Sequence, residues 1–182
     1  ETLLHARGLR VGKYTSPHLV DFRERVVVDG APIAERDVID WVARWTATCE
    51  ALGATFFEAT TALAFDHFAR AEVDVAVIET GLGGRLDSTN VIERPLAAGV
   101  TSIAMDHTEY LGTTLPEIAA EKAGIFKVGC PAVIGELDSE IRALLGEHAR
   151  RAGAEPVRVV ADEWRVGDEH VRPEGTRFTV AA

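Results

Sequence analysis

The stretch VDVAVIETGLGGRLD, residues 73–87, places a strand, an acid and a glycine-rich turn in immediate succession. Residues 73–78 form a short, almost unbroken β-branched apolar run, the kind that is buried on both faces of a parallel sheet. Glu79 stands directly at its carboxyl end, and Gly81, Gly83 and Gly84 follow. A carboxylate placed just beyond a buried strand is costly unless a cation or hydrogen-bond donors meet it. The glycines let backbone approach a ligand closely and supply φ values that other residues avoid. A dinucleotide fingerprint is the obvious rival, but Leu86 occupies its third glycine position, and Glu79 would repel a pyrophosphate. A tight turn with a solvated Glu79 is the plainer alternative.

Outward from this stretch, strand-like and helix-like segments alternate. Upstream, residues 1–7 read as the last turns of a helix stopped by Gly8, followed by a strand over 10–14 and a second over 25–30. A helix over 35–52 carries Val38, Ile39, Val42, Trp45 and Cys49 on one stripe. A helix over 56–70 carries Phe57, Thr61, Ala64, Phe65 and Phe68. Downstream come a strand over 97–104, a helix over 114–126, a strand over 131–134, a helix over 138–152 and a strand over 157–160. A small β hairpin over 161–182 closes the chain. The expected class is therefore α/β, with a mostly parallel sheet flanked by helices and one domain over 1–182.

Ligands of such sheets bind beyond the carboxyl ends of the strands. Ser16, Glu79, Asp106 and His107 stand at three of those ends. In Thr15-Ser-Pro-His-Leu19, Pro17 pushes Ser16 out of helical conformations and holds its hydroxyl in an extended loop. A hydroxyl oxygen suits Mg²⁺, yet the same hydroxyl also suits a capped Ser-Pro turn. His107 is either a metal ligand, with Asp106 or Glu109 behind it, or a structural imidazole. Lys122, late in a helix, is either a solvated lysine favoured by the helix dipole or one neutralised by its surroundings. A neutral lysine is able to form a carbamate with carbon dioxide.

Composition narrows the partners. The 182 residues carry 19 Lys+Arg against 29 Asp+Glu, a formal charge of −10, which disfavours nucleic acid and acidic membrane as general partners. No apolar run reaches the ~18–20 residues a bilayer requires, and no signal peptide is visible. Two cysteines, Cys49 and Cys130, without a pairing motif, fit free thiols in a reducing cytoplasm.

Residues 15–19, 77–90, 106–112 and 121–125, in that order, resemble the folylpolyglutamate synthase branch of the Mur ligase family. The second segment, VIETGLGGRLDSTN, matches that family's signature nearly throughout. The likeness runs from residue 1 to about 160 and implies the Mur ligase central domain, a fold akin to P-loop NTPases. It implies a cytoplasmic, monomeric ligase that spends ATP to phosphorylate a pteroate or folate carboxylate, which the amine of L-glutamate then attacks. Two Mg²⁺ ions are implied, one held by Ser16 and Glu79, the second by Glu79 and His107, with a carbamate on Lys122 orienting it. Thr15, Ser16, Pro17, His18 and Phe22 would line the pterin pocket. Asp87 and Arg25 would be active-site residues, Arg25 on the substrate side.

The family opens with G-x-x-x-x-G-K-[ST], and no such motif occurs here. The nearest stretch, residues 8–14, is one residue short between its glycines and ends in Tyr14. The resemblance therefore places the phosphate loop upstream of Glu1 and a glutamate-binding domain beyond the last residue, so the chain alone is expected to be inactive. A peptidoglycan Mur ligase shares the Asp-His and lysine region, but residues 15–19 and 79–87 argue against it. A non-catalytic nucleotide- or folate-binding module and a plain structural domain complete the alternatives.

Overall fold

Tyr14 anchors the amino-terminal half: it is fully buried, at the end of the strand that joins both halves of a four-stranded sheet. The computed structural model describes residues 1–172 and 175–181. The chain divides into two units, Glu1–Leu82 with Asp87–Val91, and Gly83–Leu86 with Ile92–Ala182.

In the first unit, α1 (Thr2–His5) is capped by Ala6, and the turn after it closes at Gly8, whose φ of 81° lies in the left-handed region that favours glycine. Strand β1 (Val11–Tyr14) follows, then a 3₁₀ turn (Phe22–Arg25), β2 (Val26–Val28) and β3 (Ala31–Pro32). Helices α2 (Glu35–Leu52) and α3 (Phe56–Arg70) precede β4 (Val75–Ile78). The sheet order is β3-β2-β1-β4, with β1 and β4 parallel and the other pairs antiparallel. Phe68 of α3 packs against β1 at Gly12, where a Cβ would come 2.8 Å from the ring. Tyr14, Val26, Val28, Ile33, Trp41, Leu63, Ala64 and Phe68 form the core.

Both helices fall on the residues their periodicity predicts, but two burial expectations need correction. On α2 the buried residue is Trp41, with Val38 and Cys49 packed against the core, whereas Ile39, Val42 and Trp45 are exposed. The apolar stripe of α2 is wider than the face this unit covers. Strand β4 is not buried on both faces: Ala76 and Val77 are exposed, and among the described residues β4 lies at the sheet edge, paired with β1 alone. The look-alike at residues 8–14 is no phosphate loop, since Gly12 and Lys13 are ladder residues of β1.

The second unit holds β5 (Ala98–Val100), α4 (Thr108–Leu111), α5 (Leu115–Ala123), β6 (Ala132–Ile134), α6 (Ser139–Arg151), β7 (Val157–Val159) and α7 (Val160–Glu163). Strands β5, β6 and β7 form a wholly parallel sheet in that order. Ile134, Ala132, Ala119, Leu145 and Ala149 are its fully covered centre. The strand expected over 97–104 is shorter, and beyond Val100 the Ile103 amide donates to the Glu136 side chain instead of to the ladder. The short α7 was not legible in the sequence.

A hairpin of β8 (Arg165–Arg172) and β9 (Gly175–Ala181) ends the chain as expected. Residues 173, 174 and 182, which the hairpin expectation also covered, lie outside the described residues. No helix among the described residues is long and apolar enough to cross a membrane.

Candidate functional site

Parallel pairing of β1 with β4 puts Tyr14 opposite Ile78, so the chain leaves both strands at one edge with residues 15–16 beside Glu79. The ladder continues one step, the Glu79 amide donating to Tyr14 O at 2.9 Å. Its carboxylate then turns back, and Oε2 accepts the Ser16 amide at 2.8 Å. The acid that the sequence leaves without a partner after an apolar strand thus finds one in the loop that follows the neighbouring strand.

A second cluster grows from the same loop. Arg25 is 8% exposed, and its Nε–H donates to His18 Nδ1 at 2.8 Å. Its guanidinium sits 5.6 Å from the ring centroid of Phe56, and Phe22 meets both His18 and Phe56 edge-on at 6.2 and 6.0 Å. An Arg over an aromatic face gains cation–π attraction that grows as water is excluded. Accepting at Nδ1 requires the neutral imidazole to carry its proton on Nε2.

The loop is shaped by Glu24. Its carboxylate accepts amides of Leu19, Val20 and Asp21 at 2.9, 3.1 and 2.7 Å, and those donors hold its acid below the usual carboxylate range. Asp21 in turn caps the 3₁₀ turn and bonds Arg23, chiefly through the side chain, which lowers its own pKa to about 2. Thr15 is tied to the same turn, its amide donating to Arg25 O at 3.1 Å. Pro17, in a cis peptide with Ser16, is exposed.

Asp87 organises the glycine turn. Its Oδ2 accepts the Gly81 and Leu82 amides at 3.0 and 2.8 Å, and its Oδ1 accepts Thr89 N–H and O–H at 2.9 and 2.6 Å. Ser88 continues a hydroxyl chain through Thr61 to the buried Tyr14 hydroxyl, at 2.9 and 3.2 Å. Burial pushes the Tyr14 phenol pKa up, partly offset by the Thr61 bond.

His107 and Lys122 belong to the second unit. His107 caps α4 from a left-handed conformation, φ 49°, and its amide donates to Asp106 Oδ1 at 2.8 Å. Its ring Nε2 lies 3.7 Å from Asp106 Oδ2. Lys122, half-buried, closes α5, and the turn residues Gly83–Leu86 pack on that end. Arg85 N–H donates to Glu121 O at 2.9 Å, and its side chain pairs with Glu121 Oε1 at 3.0 Å. The structure therefore gathers Thr15, Ser16, His18, Phe22, Arg25, Glu79 and Asp87 in one unit, and His107 with Lys122 in the other.

The sequence reading missed Phe56, Glu24 and Glu121. Asp21 and Glu24 stand three residues apart, the spacing of a capping box, so Glu24 had a signal; Phe56 had none beyond its place at a helix start.

Ser16 and Glu79 supply a hydroxyl and a carboxylate. These are the hard oxygens Mg²⁺ prefers, and the ion ordinarily takes one or two carboxylates and completes its shell with water and phosphate. Among the described residues no group of three or more His, Cys, Asp or Glu side chains could hold a metal by itself. The donor set fits an ion that arrives with a nucleotide better than a resident one.

Comparison with known proteins gives a consistent picture. Residues 39–181 match the family model for the Mur ligase middle domain. The dihydrofolate synthase/folylpolyglutamate synthase of Bacillus subtilis is 40% identical over 185 residues, covering 98% of this chain and 43% of that protein. A solved structure described as an FPGS-AMPPCP-folate complex superposes with a TM-score of 0.88 at 39% identity, over 98% of this chain and 45% of its own. The bifunctional synthase of Yersinia pestis, solved with AMPPNP and a Mn ion, gives 0.82 at 37%, over 97% and 41%. The chain thus spans less than half the length of the relatives it matches.

Proposed function

Because the chain belongs to the Mur ligase middle-domain family, we propose that it is the nucleotide-handling part of an ATP-dependent ligase joining L-glutamate to dihydropteroate or a folate. The observation that carries this reading is the Ser16–Glu79 contact at the carboxyl ends of β1 and β4. It supports the reading because a hydroxyl and a carboxylate lie beyond the carboxyl ends of a parallel strand pair, where open α/β sheets commonly take their ligands.

Ser16 and Glu79 are the proposed ligands of one Mg²⁺, and His107 of a second. When bound, the ions neutralise the repulsion between the acceptor carboxylate and the nucleotide and stabilise the charge of phosphoryl transfer. Glu79 does more than donate an oxygen. Through the Ser16 amide it fixes the start of the loop that carries His18. Arg25 occupies His18 Nδ1, which leaves Nε2–H as a donor suited to the acceptor nitrogens and carbonyl of a pterin. Phe22 and Phe56 offer aromatic surface to a flat heterocycle. The buried Arg25 guanidinium favours an electron-rich or anionic group beside it. Asp87 positions the turn rather than reacting, since both its oxygens are engaged by turn donors. Lys122 is proposed, on the family resemblance, to carry a carbamate.

ATP, a folate-type acid and L-glutamate are the proposed substrates; the relatives' folate and AMPPCP or AMPPNP ligands support this. ADP release by the whole protein should require all three, and Glu79→Gln should abolish it while leaving the fold intact. ADP release with a muramyl nucleotide in place of the folate would instead select the peptidoglycan branch. Binding of folate and ATP without any turnover would select a non-catalytic module. Carbonyl-¹³C resonance from ¹³C-bicarbonate, lost in Lys122→Ala, tests the carbamate.

A further inference from the structure

Outside the groups discussed so far, one buried ion remains unexplained. Glu136, 6% exposed, follows β6, and among the described residues no cation pairs with it. Its partners are all backbone amides: Oε1 accepts Leu137 and Asp138 N–H at 2.7 and 2.9 Å, and Oε2 accepts Ile103 N–H at 2.5 Å. Those donors hold its acid below the usual carboxylate range despite burial.

Two of these bonds look like a helix cap, but α6 already has one. Asp138 accepts the Glu140 and Ile141 amides, both at 3.0 Å. The bond that stands apart is the one to Ile103, thirty-three residues away, in the irregular segment after β5. The Val100 carbonyl accepts the Gly135 amide at 2.8 Å, and a Cβ on Gly135 would lie 3.0 Å from Thr101 O. The ladder is thus continued by one bond, and then the Ile103 amide is drawn out of it by Glu136. The Ile103 side chain packs on the core below. Four residues later comes His107, in its left-handed conformation, followed by the buried Leu111.

We propose that Glu136 is a positioning residue: by taking the Ile103 amide it ends β5 and sets the backbone path that presents His107. Its meaning for catalysis rests on the reading of His107 as a metal ligand given above. Three converging donors explain the residue type. A carboxylate accepts at both oxygens, whereas glutamine offers one acceptor and turns an NH₂ toward the remaining N–H. Leaving a buried amide facing a donor is more disruptive than losing the bond alone.

Four variants of the whole protein separate the possibilities: Glu136→Gln, Glu136→Asp, Asp138→Ala and His107→Ala. Asp138→Ala loses the α6 cap without touching Ile103, and Glu136→Asp keeps both oxygens should the glutamine variant fail to fold. Two readouts are taken. Amide exchange and NMR shifts of Ile103 and His107 without metal report position. Mn²⁺ binding by electron paramagnetic resonance, with a non-hydrolysable ATP analogue, reports affinity. Glu136→Gln is expected to speed Ile103 exchange, shift His107 and weaken Mn²⁺ about tenfold, the low end for groups that orient metal ligands. Asp138→Ala should leave all three near wild type. Unchanged Ile103 and His107 signals in both Glu136 variants would overturn the proposal, as would equal effects of Asp138→Ala. If His107→Ala leaves Mn²⁺ binding intact while Glu136→Gln still moves His107, the metal role of His107 fails and the positioning role stands.

Discussion

Gly84→Ala is the most exposed test of the packing at Lys122. Gly84 has no positive φ, so alanine meets no backbone penalty there; the whole cost comes from contact. A Cβ would stand 2.8 Å from Lys122 O, 2.9 Å from Glu121 O and 2.8 Å from Ile125 Cγ2. Two of these are helix-end carbonyls, which cannot rotate aside as a side chain does. The turn must therefore lift from α5 by several tenths of an ångström. Overpacking of this kind costs ~1–3 kcal/mol. Lifting also lengthens the Arg85 N–H bond to Glu121 O, now 2.9 Å, a further ~0.5–1.5 kcal/mol. The total, about 1.5–4.5 kcal/mol, should lower the melting temperature by roughly 3–18 °C in a domain of this size. Gly129→Ala is the control. With φ +67° and nothing within 4 Å of its Cβ, it is charged only for backbone strain, about 1 kcal/mol. Equilibrium urea unfolding of the three proteins measures both. A Gly84→Ala loss under ~0.5 kcal/mol, or one no larger than that of Gly129→Ala, would refute the close approach of the turn to α5.

Three further outcomes follow from other parts of the molecule. Thr61→Val removes a hydroxyl that meets Tyr14, Ser88 and the Phe57 carbonyl. It should cost ~1–3 kcal/mol by urea unfolding because the buried Tyr14 hydroxyl is left without that partner. Arg25→Lys keeps the charge but loses the fixed Nε–H to His18 and the planar contact with Phe56, so folate affinity by calorimetry should fall about tenfold, with ATP affinity unchanged. The depressed acids of Glu24, Glu58, Glu117 and Glu136 make the native state bind fewer protons than the unfolded chain below their ordinary value of 4.5. Their contribution is therefore complete above that pH and is lost as pH falls through the lowered folded values. Unfolding midpoints between pH 6 and 2.5 should drop steeply below about 4.5, and less steeply in Glu136→Gln.

Periodicity located α2, α3 and α6 to within a residue, and α5 to within three, since the helix expected to run to 126 ends at Ala123; long amphipathic runs leave few other ways to bury their stripes. It did not give which residues of α2 face inward. The stripe read from the sequence, Val38, Ile39, Val42, Trp45 and Cys49, left out Trp41, which joins the core cluster with Tyr14, Val26 and Val28 of the sheet. Strand lengths failed at β5 for a different reason. The expected strand runs on past Val100 through Thr101 and Ser102 to Ile103, but Glu136, which takes the Ile103 amide, lies thirty-three residues beyond it and has no local signature. Three capping boxes, at Asp21/Glu24, Thr55/Glu58 and Thr114/Glu117, were in principle readable from spacing alone.

The candidate site divides along the same line. Ser16 and Glu79 are adjacent because two strands that the sequence does mark run parallel in one register, and a parallel pair delivers both following residues to the same edge. That step requires only the strand identities and their direction. The partner of Glu79 was less legible. Reasoning from residue chemistry looks for a cation or a hydroxyl, whereas the bond is made by the Ser16 amide. The same holds for Glu24, Asp87 and Glu136, each of which takes backbone donors from its own loop or a distant one. Side-chain patterns identify which acids are out of place, but backbone amides carry no sequence signature. Acids that hold turns are therefore harder to separate from acids that hold ligands. What separates them here is the number of donors. Asp87, Glu24 and Glu136 accept backbone or hydroxyl donors at both oxygens, while the donor shown for Glu79 is the single Ser16 amide on Oε2, and the proposed function asks its other oxygen to meet an ion.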